Sequence, residues 1–250
     1  MAVDPIQAEG FALQVERLYA GLIRNAGTPG LASETRDPEP SLGGKLLYAG
    51  QLDEEARALL TAANIAGTAS LAASADAATR KQALRDGVVD FLVTSLDEAL
   101  RILKNEIRKR ETVTVCVALE PETVEQEMLE RGVAPDLLRP AAEDLPEGQT
   151  LLSWRFASSP SIWLPKLDAI ALDCLDSQAG TARRWLHLAP RYLGRMAQGL
   201  RVLRCGESAA ANFLERMRRE VESGEIGVRV ELKLSREGQS EQYSFAPPIF

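Results

Sequence analysis

Aromatic residues are scarce in this sequence. They make up 5% of its 250 residues, whereas hydrophobic residues make up 45% and charged residues 26%. The apolar positions are mostly Ala, Leu and Val. This composition is typical of a soluble globular protein and favours helices packed on a sheet over a β-sandwich. A chain of this length provides one large domain, or one domain with a sizeable appendage.

Histidine and cysteine are scarcer still. His187 is the only histidine, which argues against a His-rich metal site and against a mechanism that needs two histidines. Cys116, Cys174 and Cys205 are odd in number and far apart, so they predict neither a disulfide framework nor a zinc site. We expect free buried thiols and no metal site.

Long apolar runs are also missing. None reaches the ~18 residues that a membrane span requires, and the N-terminus, MAVDPIQAEG, lacks the pattern of a signal peptide. The net charge of −7 and the pI near 5.0 argue against nucleic-acid binding by electrostatics. We therefore expect a cytoplasmic protein with no membrane partner, for which a nucleic-acid partner is disfavoured.

The first half of the chain alternates between strand and helix patterns. Apolar residues at helical spacing predict a leading helix up to residue 25, followed by a Gly- and Pro-rich loop over 27–44. Strands are predicted over 45–49, 68–73, 88–93, 112–119 and from 136, with helices over 52–64, 76–86, 95–110 and 121–131. Short strands alternating with helices predict a mostly parallel sheet with helices on both faces.

The rhythm changes after a linker-like stretch at 139–149. A strand is predicted over 150–156, and helices over 160–204 with interruptions at Pro165, Gly180 and Pro190. Ser208 is expected to cap a further helix that ends near Gly224. The alternation in GVRVELKL, residues 227–234, predicts a half-buried strand that returns as a hairpin over 242–245. The predicted domains are therefore residues 1–140 and an α+β appendage over 141–250.

Five segments of the first half carry a family resemblance. They are IQAEGFALQVERL, GGKLLYAG, ANIAGTASL (similar to "LAGACSLNIE"), VVDFLVTSLDEAL and LERGVAPDLL (similar to "VKRGVRPDMV"). In this order and spacing, residues 6 to about 138 resemble the Rossmann-like, NAD-binding domain of the urocanase (urocanate hydratase) family. The catalytic core of that family flanks this domain and has no counterpart here, so the resemblance implies ancestry and fold but not hydration of urocanate.

The resemblance also implies where NAD would bind. The first turn of urocanases reads like G-L-G-G-M-G-G, and such glycines let the backbone approach a pyrophosphate. The matching positions here run from Gln51 to Arg57 and hold no glycine; Gly50 stands just before them. Asp53, Glu54 and Glu55 fall at the positive end of the helix dipole, where we expect Asp53 and its neighbours to cap and charge-stabilise the helix start and to repel a phosphate. We therefore expect no NAD cofactor.

The other loops of the resembled site differ as well. Ser74 stands where the family has a ribose-binding Glu, and Asp76 could take over that role, although both residues could instead cap the next helix. Glu120 lies in the segment that matches the family's His-Gly-Asn run, and Arg139 in the segment that matches its Asp-Gln-Thr loop. The framework positions are kept: Gly67, Asp90, Thr94, Asp97, Gly132, Pro135 and Asp136.

Two functions remain open from the sequence. The first is a non-catalytic binding or assembly module for an unknown small molecule or protein partner, in which a homo-oligomer is left open. The alternative is an enzyme or sensor for NAD, another nucleotide or a small metabolite, bound at the carboxyl ends of the strands near Gly50, Gln51, Ser74, Thr94 and Glu120. In the appendage, Arg184, Arg191 and Arg195 fall on one helix face. They predict either a solvated face, or one docked onto the acidic first domain, or an anion or nucleic-acid patch.

Overall fold

The computed structural model describes residues 4–26, 39–140, 145–156, 158–194, 199–236 and 239–248. The chain divides into two compact units. The parallel-sheet unit comprises Arg17–Glu143, and the antiparallel-sheet unit comprises Met1–Glu16 together with Asp144–Phe250. The division between residues 1–140 and 141–250 stays a prediction. The loop predicted over 27–44 and the linker over 139–149 lie partly outside the described residues.

The parallel-sheet unit alternates strands with helices, as predicted. After helix α1 (Pro5–Ala26), which crosses the boundary between the units, it contains β1 (Leu46–Gln51), α2 (Glu54–Ala66), β2 (Ala69–Ala73), α3 (Ala77–Arg85), β3 (Phe91–Val93), α4 (Leu96–Lys109), β4 (Val113–Val117) and α5 (Pro121–Glu130). The sheet order is β1-β2-β4-β3 and every pairing is parallel. This confirms a Rossmann-like α/β architecture.

The side chains of β2 and β4 point alternately to two buried faces. Leu71 and Val115 belong to the apolar cluster that includes Leu100 and Leu103 of α4 and Met128 of α5. Thr114, one residue before Val115, instead donates to Asn64 of α2 over 2.7 Å from Oγ1 to Oδ1. Helix α2 therefore lies on the opposite face of the sheet from α4 and α5.

Three framework residues shared with the resembled family have structural roles. Gly67 ends α2 with a φ of 95°, which a residue with a side chain adopts only with strain. The Asp90 carboxylate accepts the Thr114 amide at 2.7 Å. The Asp136 carboxylate accepts the Leu46 amide at 2.8 Å, which fixes the chain after α5 against β1. These positions hold the scaffold together rather than face a ligand.

The antiparallel-sheet unit contains β5 (Gln149–Phe156), α6 (Pro160–Cys174), α7 (Gly180–Leu193), β6 (Leu200–Gly206), α8 (Glu207–Glu222), β7 (Val230–Arg236) and β8 (Gln239–Phe245). The sheet order is β6-β5-β7-β8, and every pairing is antiparallel. Trp154 of β5 packs on Phe213 of α8 with ring centroids 4.9 Å apart, so α8 covers one face of this sheet. The predicted α+β appendage with a hairpin is confirmed.

Several element predictions are wrong in detail. The expected fifth strand is only one bridge, between Leu47 and Leu137, because Pro135 and Pro140 flank it and cannot donate to a ladder. Residues 200–204 belong to strand β6 rather than to a helix. They pair with residues 151–155 of β5 in an antiparallel ladder. Ser208 does not cap α8, whose N-cap is Gly206.

Two prolines do not interrupt their helices. Pro165 lies inside α6 and Pro190 lies inside α7. Buried residues on both sides of each proline, such as Leu164 and Leu167 in α6, continue to pack. Tertiary packing therefore outweighs the loss of a helical hydrogen bond at each proline. Among the described residues, no helix is long and apolar enough to cross a bilayer.

A buried ion pair joins α1 to β6 within the antiparallel-sheet unit. Arg204 donates from Nε and Nη2 to the two carboxylate oxygens of Glu16, at 2.7 and 2.8 Å. The Glu16 and Arg204 side chains are only 4% and 12% exposed. We predict that Glu16→Ala lowers the free energy of unfolding by about 3 kcal/mol, because it leaves a guanidinium buried without its counter-charge.

Urea unfolding followed by circular dichroism measures this loss. Glu215→Ala is the matched control, since Glu215 and Arg219 form an exposed pair on α8 and its removal should cost about 0.5 kcal/mol or less. Equal destabilisation by the two substitutions would contradict the role assigned to the buried pair.

Candidate functional site

The carboxyl ends of the parallel strands bring the predicted site residues to one edge of the sheet. Gly50 and Gln51 end β1, Ser74 follows β2, Thr94 follows β3, and Glu120 precedes α5 after β4. Backbone hydrogen bonds join these ends across the sheet: the Leu52 amide to Ala73 O at 2.9 Å, the Ser74 amide to Val117 O at 3.1 Å and the Ala118 amide to Val93 O at 2.8 Å.

The direction of the crossovers reverses between β2 and β4. The chain leaves β1 toward α2 on one face, whereas it leaves β3 and β4 toward α4 and α5 on the other. Right-handed crossovers place α3, after β2, on the α2 side. The loops after β2 and β4 therefore diverge, and this divergence forms the crevice in which open α/β sheets bind ligands. Ser74, Asp76 and Glu120 flank it, while Gly50 and Thr94 lie one strand further out on either side.

The turn between β1 and α2 is closed by a carboxylate. Asp53 is the N-cap of α2, and its Oδ1 accepts the Ala56 amide at 2.8 Å. Glu54 and Glu55 occupy the first turn and are exposed. Gly50 has a φ of 75°, so the one glycine kept at this turn serves the backbone conformation there. The capping role expected for Asp53 is therefore observed.

The cations near this turn are engaged by acids. Arg139 Nη1 lies 2.9 Å from Glu55 Oε2. Arg57, the compensating charge closest in sequence, forms an ion pair with Asp86. Three carboxylates therefore stand at the first turn, and Arg57 and Arg139 are each paired with an acid.

Ser74 differs from its neighbours in having an unused hydroxyl. It is completely buried, and within the described part of the chain its Oγ has no hydrogen-bond partner. Its backbone oxygen accepts Arg80 Nη1 at 2.6 Å. A buried hydroxyl without a partner costs stability, so this position is a candidate for interaction with a group that the folded chain does not supply.

Asp76 rather than Ser74 caps α3. Its carboxylate accepts the amides of Ala78 and Thr79, at 3.2 and 2.8 Å, and the Thr79 hydroxyl. These bonds, first those with Thr79 and then that with Ala78, lower the pKa of Asp76 below its ordinary value. The interpretation of Ser74 as a helix cap is therefore wrong, while that of Asp76 holds.

Thr94 and Glu120 differ in how their polar groups are used. The Thr94 amide donates to Glu98 Oε2 at 3.2 Å, and the Glu98 amide donates to Ser95 Oγ at 3.3 Å, which completes the N-terminus of α4. Glu120 occupies the N-cap position of α5, yet its side chain accepts no capping hydrogen bond. Its exposed carboxylate remains available beside the crevice.

Two groups near the crevice were not singled out from the sequence. Arg80 reaches Ser74 from α3, six residues later, a spacing that follows no common motif. Tyr48 of β1 faces α5, where its hydroxyl lies 3.4 Å from Pro121 O. Burial, with a further contribution from Glu125, raises the pKa of Tyr48. The tyrosine therefore stays protonated and can donate a hydrogen bond at neutral pH.

The cysteines are free, as expected, but not all are buried. Cys116 and Cys205 are buried, whereas Cys174 is half-buried. Burial raises the pKa of Cys116 to about 11, partly offset by Arg80, and that of Cys205 to about 12. Both thiols are therefore protonated at neutral pH and are poor nucleophiles. Among the described residues, no three His, Cys, Asp or Glu side chains cluster as a metal site would require.

The arginines of the appendage are largely engaged. Arg183 donates to Leu175 O at 2.7 Å, and Arg201 pairs with Asp168 at 2.9 Å. Arg191 lies over the ring of Tyr192 at 5.3 Å. Arg184 is partly buried on α7, and Arg195 lies outside the described residues. The anion patch at Arg184, Arg191 and Arg195 stays a prediction.

The comparison with known families confirms the resemblance drawn from the sequence. The family model of the urocanase Rossmann-like domain matches residues 31–142. The match spans β1 to α5 and includes the crevice between β2 and β4. The match starts after helix α1, so the resemblance of the α1 segment to the family rests on the sequence alone. The antiparallel strands lie outside the matched stretch.

The capping geometry at the first turn predicts a stability difference between neighbouring acids. Asp53→Ala should lower the free energy of unfolding by about 1 kcal/mol, because the Ala56 amide loses its acceptor. Asp53→Asn retains an oxygen acceptor and should recover most of that loss, while Glu54→Ala should change stability by about 0.5 kcal/mol or less. Chemical unfolding of the three variants tests this, and equal losses for Asp53→Ala and Glu54→Ala would contradict the assignment of the cap.

Proposed function

We propose that the parallel-sheet unit is a non-catalytic binding or assembly module on a urocanase-type Rossmann scaffold, and that it holds no NAD at its first turn. The observation that carries this proposal is the Asp53 cap, which occupies the α2 N-terminus where the resembled site would hold a pyrophosphate. The parallel-sheet unit would accordingly not support a reaction that depends on NAD held at this turn.

Electrostatics support this proposal. A helix N-terminus attracts an anion by about 0.3–1 kcal/mol at an exposed site. A carboxylate 4 Å from a phosphate charge opposes this with about 1 kcal/mol in water, and about 4 kcal/mol where the effective dielectric constant is near 20. Three carboxylates, Asp53, Glu54 and Glu55, stand at this one turn. Even with Glu55 paired with Arg139, a phosphate within about 4 Å of Asp53 and Glu54 would be repelled by at least as much as the helix attracts it.

The distribution of retained and altered residues supports the same proposal. Gly67, Asp90 and Asp136 keep structural roles in the scaffold. The positions that differ from the resembled family, from Gln51 to Arg57 and at Ser74 and Glu120, lie at the carboxyl edge of the sheet. Change at this edge is what altered or lost ligand binding on a retained scaffold would produce.

Calorimetric titration of the whole protein with NAD tests the proposal. We predict no saturable heat up to about 1 mM NAD, which corresponds to a binding free energy weaker than about −4 kcal/mol. Binding with a micromolar Kd that is lost in Gly50→Val, a substitution that strains the backbone at a φ of 75°, would contradict it. Gly10→Val, on the leading helix, serves as a matched glycine control.

A second function is favoured by one specific observation. The crevice between β2 and β4 contains the buried Ser74 hydroxyl, which has no partner within the described residues. Arg80 of α3 donates to the Ser74 backbone oxygen, and Glu120 lies at the start of α5 on the other side of the crevice. A small polar metabolite could hydrogen-bond to the Ser74 hydroxyl after a small movement of the β2–α3 loop. A nucleotide could do the same if its phosphates did not contact the turn between β1 and α2. The unit would then act as a sensor or enzyme for that molecule.

Two buried serines, Ser70 within β2 and Ser74 directly after it, provide a test of a binding role for Ser74. Ser70 Oγ lies 2.9 Å from Thr68 Oγ1, whereas Ser74 Oγ is unpaired. We predict that Ser74→Ala leaves the free energy of unfolding unchanged or raises it by up to about 1 kcal/mol, while Ser70→Ala lowers it by about 1 kcal/mol. Thermal unfolding measures both, and destabilisation by Ser74→Ala equal to that by Ser70→Ala would contradict an unused hydroxyl.

Native mass spectrometry of the purified protein tests the second function directly. A co-purifying small molecule that is present in the wild type and in Ser70→Ala, but lost in Ser74→Ala and Arg80→Met, supports a site at the crevice. A co-purifying molecule retained by all four proteins places the ligand elsewhere. Its complete absence, together with no thermal shift in a metabolite screen, favours the binding or assembly module without a small ligand.

A further inference from the structure

The antiparallel-sheet unit contains a cavity of about 400 Å³ that is separate from the Rossmann crevice. It is lined by residues of β5, β7 and β8, by Leu200 of β6 and by Glu9 of α1, all of which belong to this unit. We propose that this cavity binds a small zwitterion of the free α-amino acid class. Its volume falls within the ~300–1,000 Å³ range of small-molecule pockets.

Two rows of polar side chains form the floor of the cavity. Register pairing aligns Ser153, Lys233 and Gln242 across β5, β7 and β8. The next row on the same face aligns Arg155, Glu231 and Ser244. The residues between these rows, such as Trp154, belong to the face covered by α8. Strand alternation therefore presents polar side chains to the cavity and apolar side chains to the core.

The charges of the cavity alternate in sign and sum to zero. Arg155 Nε donates to Glu231 Oε2 at 2.6 Å. Lys233 Nζ lies 3.9 Å from Glu9 Oε1, which is beyond hydrogen-bond length. A ligand of net charge would be repelled by one member of each pair as it is attracted by the other member. A molecule that carries one ammonium and one carboxylate satisfies both signs.

The cavity also has unused hydrogen-bonding capacity. Glu9 Oε1 accepts a hydrogen bond from the buried Ser153 hydroxyl at 3.2 Å, which holds this carboxylate over the floor. Within the described chain, no hydrogen bond engages the Lys233 ammonium, the side-chain amide of Gln242 or the Ser244 hydroxyl. The Lys233 ammonium can therefore donate to a ligand carboxylate while Glu9 accepts from a ligand ammonium. The amide and hydroxyl remain for a polar substituent.

L-Glutamine is the probe, because its side-chain amide can both donate to and accept from Gln242 and Ser244. Ligand-observed NMR and calorimetry on the whole protein should detect binding with a Kd of about 1 mM or below. N-acetyl-L-glutamine, which lacks the ammonium, and L-glutaminamide, which lacks the carboxylate, should each bind at least about tenfold more weakly. L-Leucine, which cannot use the two amide-binding groups, should bind more weakly than L-glutamine.

Lys233→Met and Glu9→Gln should each weaken L-glutamine binding at least about tenfold. Lys81→Met, on exposed α3 of the other unit, should bind as the wild type does. Glu9→Gln preserves the shape of the side chain, and circular dichroism checks that both variants fold. The proposal is overturned by wild-type affinity in both folded variants, by equal binding of L-glutamine and its two analogues, or by no binding of L-glutamine up to about 10 mM. The outcome is independent of whether the parallel-sheet unit binds NAD.

Discussion

The burial of β2 and β4 on both faces is the constraint on which the parallel-sheet unit depends. Every residue of both strands is buried, so helices have to cover both sides of the sheet. Helix α2 covers one face, where Asn64 accepts a hydrogen bond from Thr114 of β4. Helices α4 and α5 cover the other face, where Leu103 and Met128 pack on the sheet. Because successive crossovers are right-handed, covering both faces forces the strand order to reverse. The crevice between β2 and β4 follows from that reversal.

This constraint separates the scaffold from the site. Substitutions inside β2 or β4 disturb two packed layers at once, whereas changes at the carboxyl ends of the strands disturb only loops. Asp53 and Glu120 lie at the carboxyl edge of the sheet, whereas Asp90 and Asp136 fasten the sheet itself. A shared fold with a different or absent ligand is the expected consequence of such a division.

The sequence predicts the parallel-sheet unit well because its signals are local. Asp53, Asp76 and Ser95 are helix caps whose residue types and spacing show in the sequence, and the structure uses all three as caps. The failures concern signals that are not local. Residues 200–204 look helical in isolation, yet they pair with β5 some fifty positions earlier in the chain. The orphan hydroxyl of Ser74 and the reach of Arg80 also depend on packing that no spacing reveals.

We propose that any ligand of the parallel-sheet unit contacts the β2–β4 crevice and not the turn before α2. The most direct test is a map of backbone amide chemical shifts in the whole protein, with and without a mixture of nucleotides and polar metabolites. The account predicts that the shifts that respond lie within residues 74–80 and 118–120, while those of residues 50–57 stay unchanged. Shifts concentrated at residues 50–57, where Asp53 now caps the helix, would contradict it.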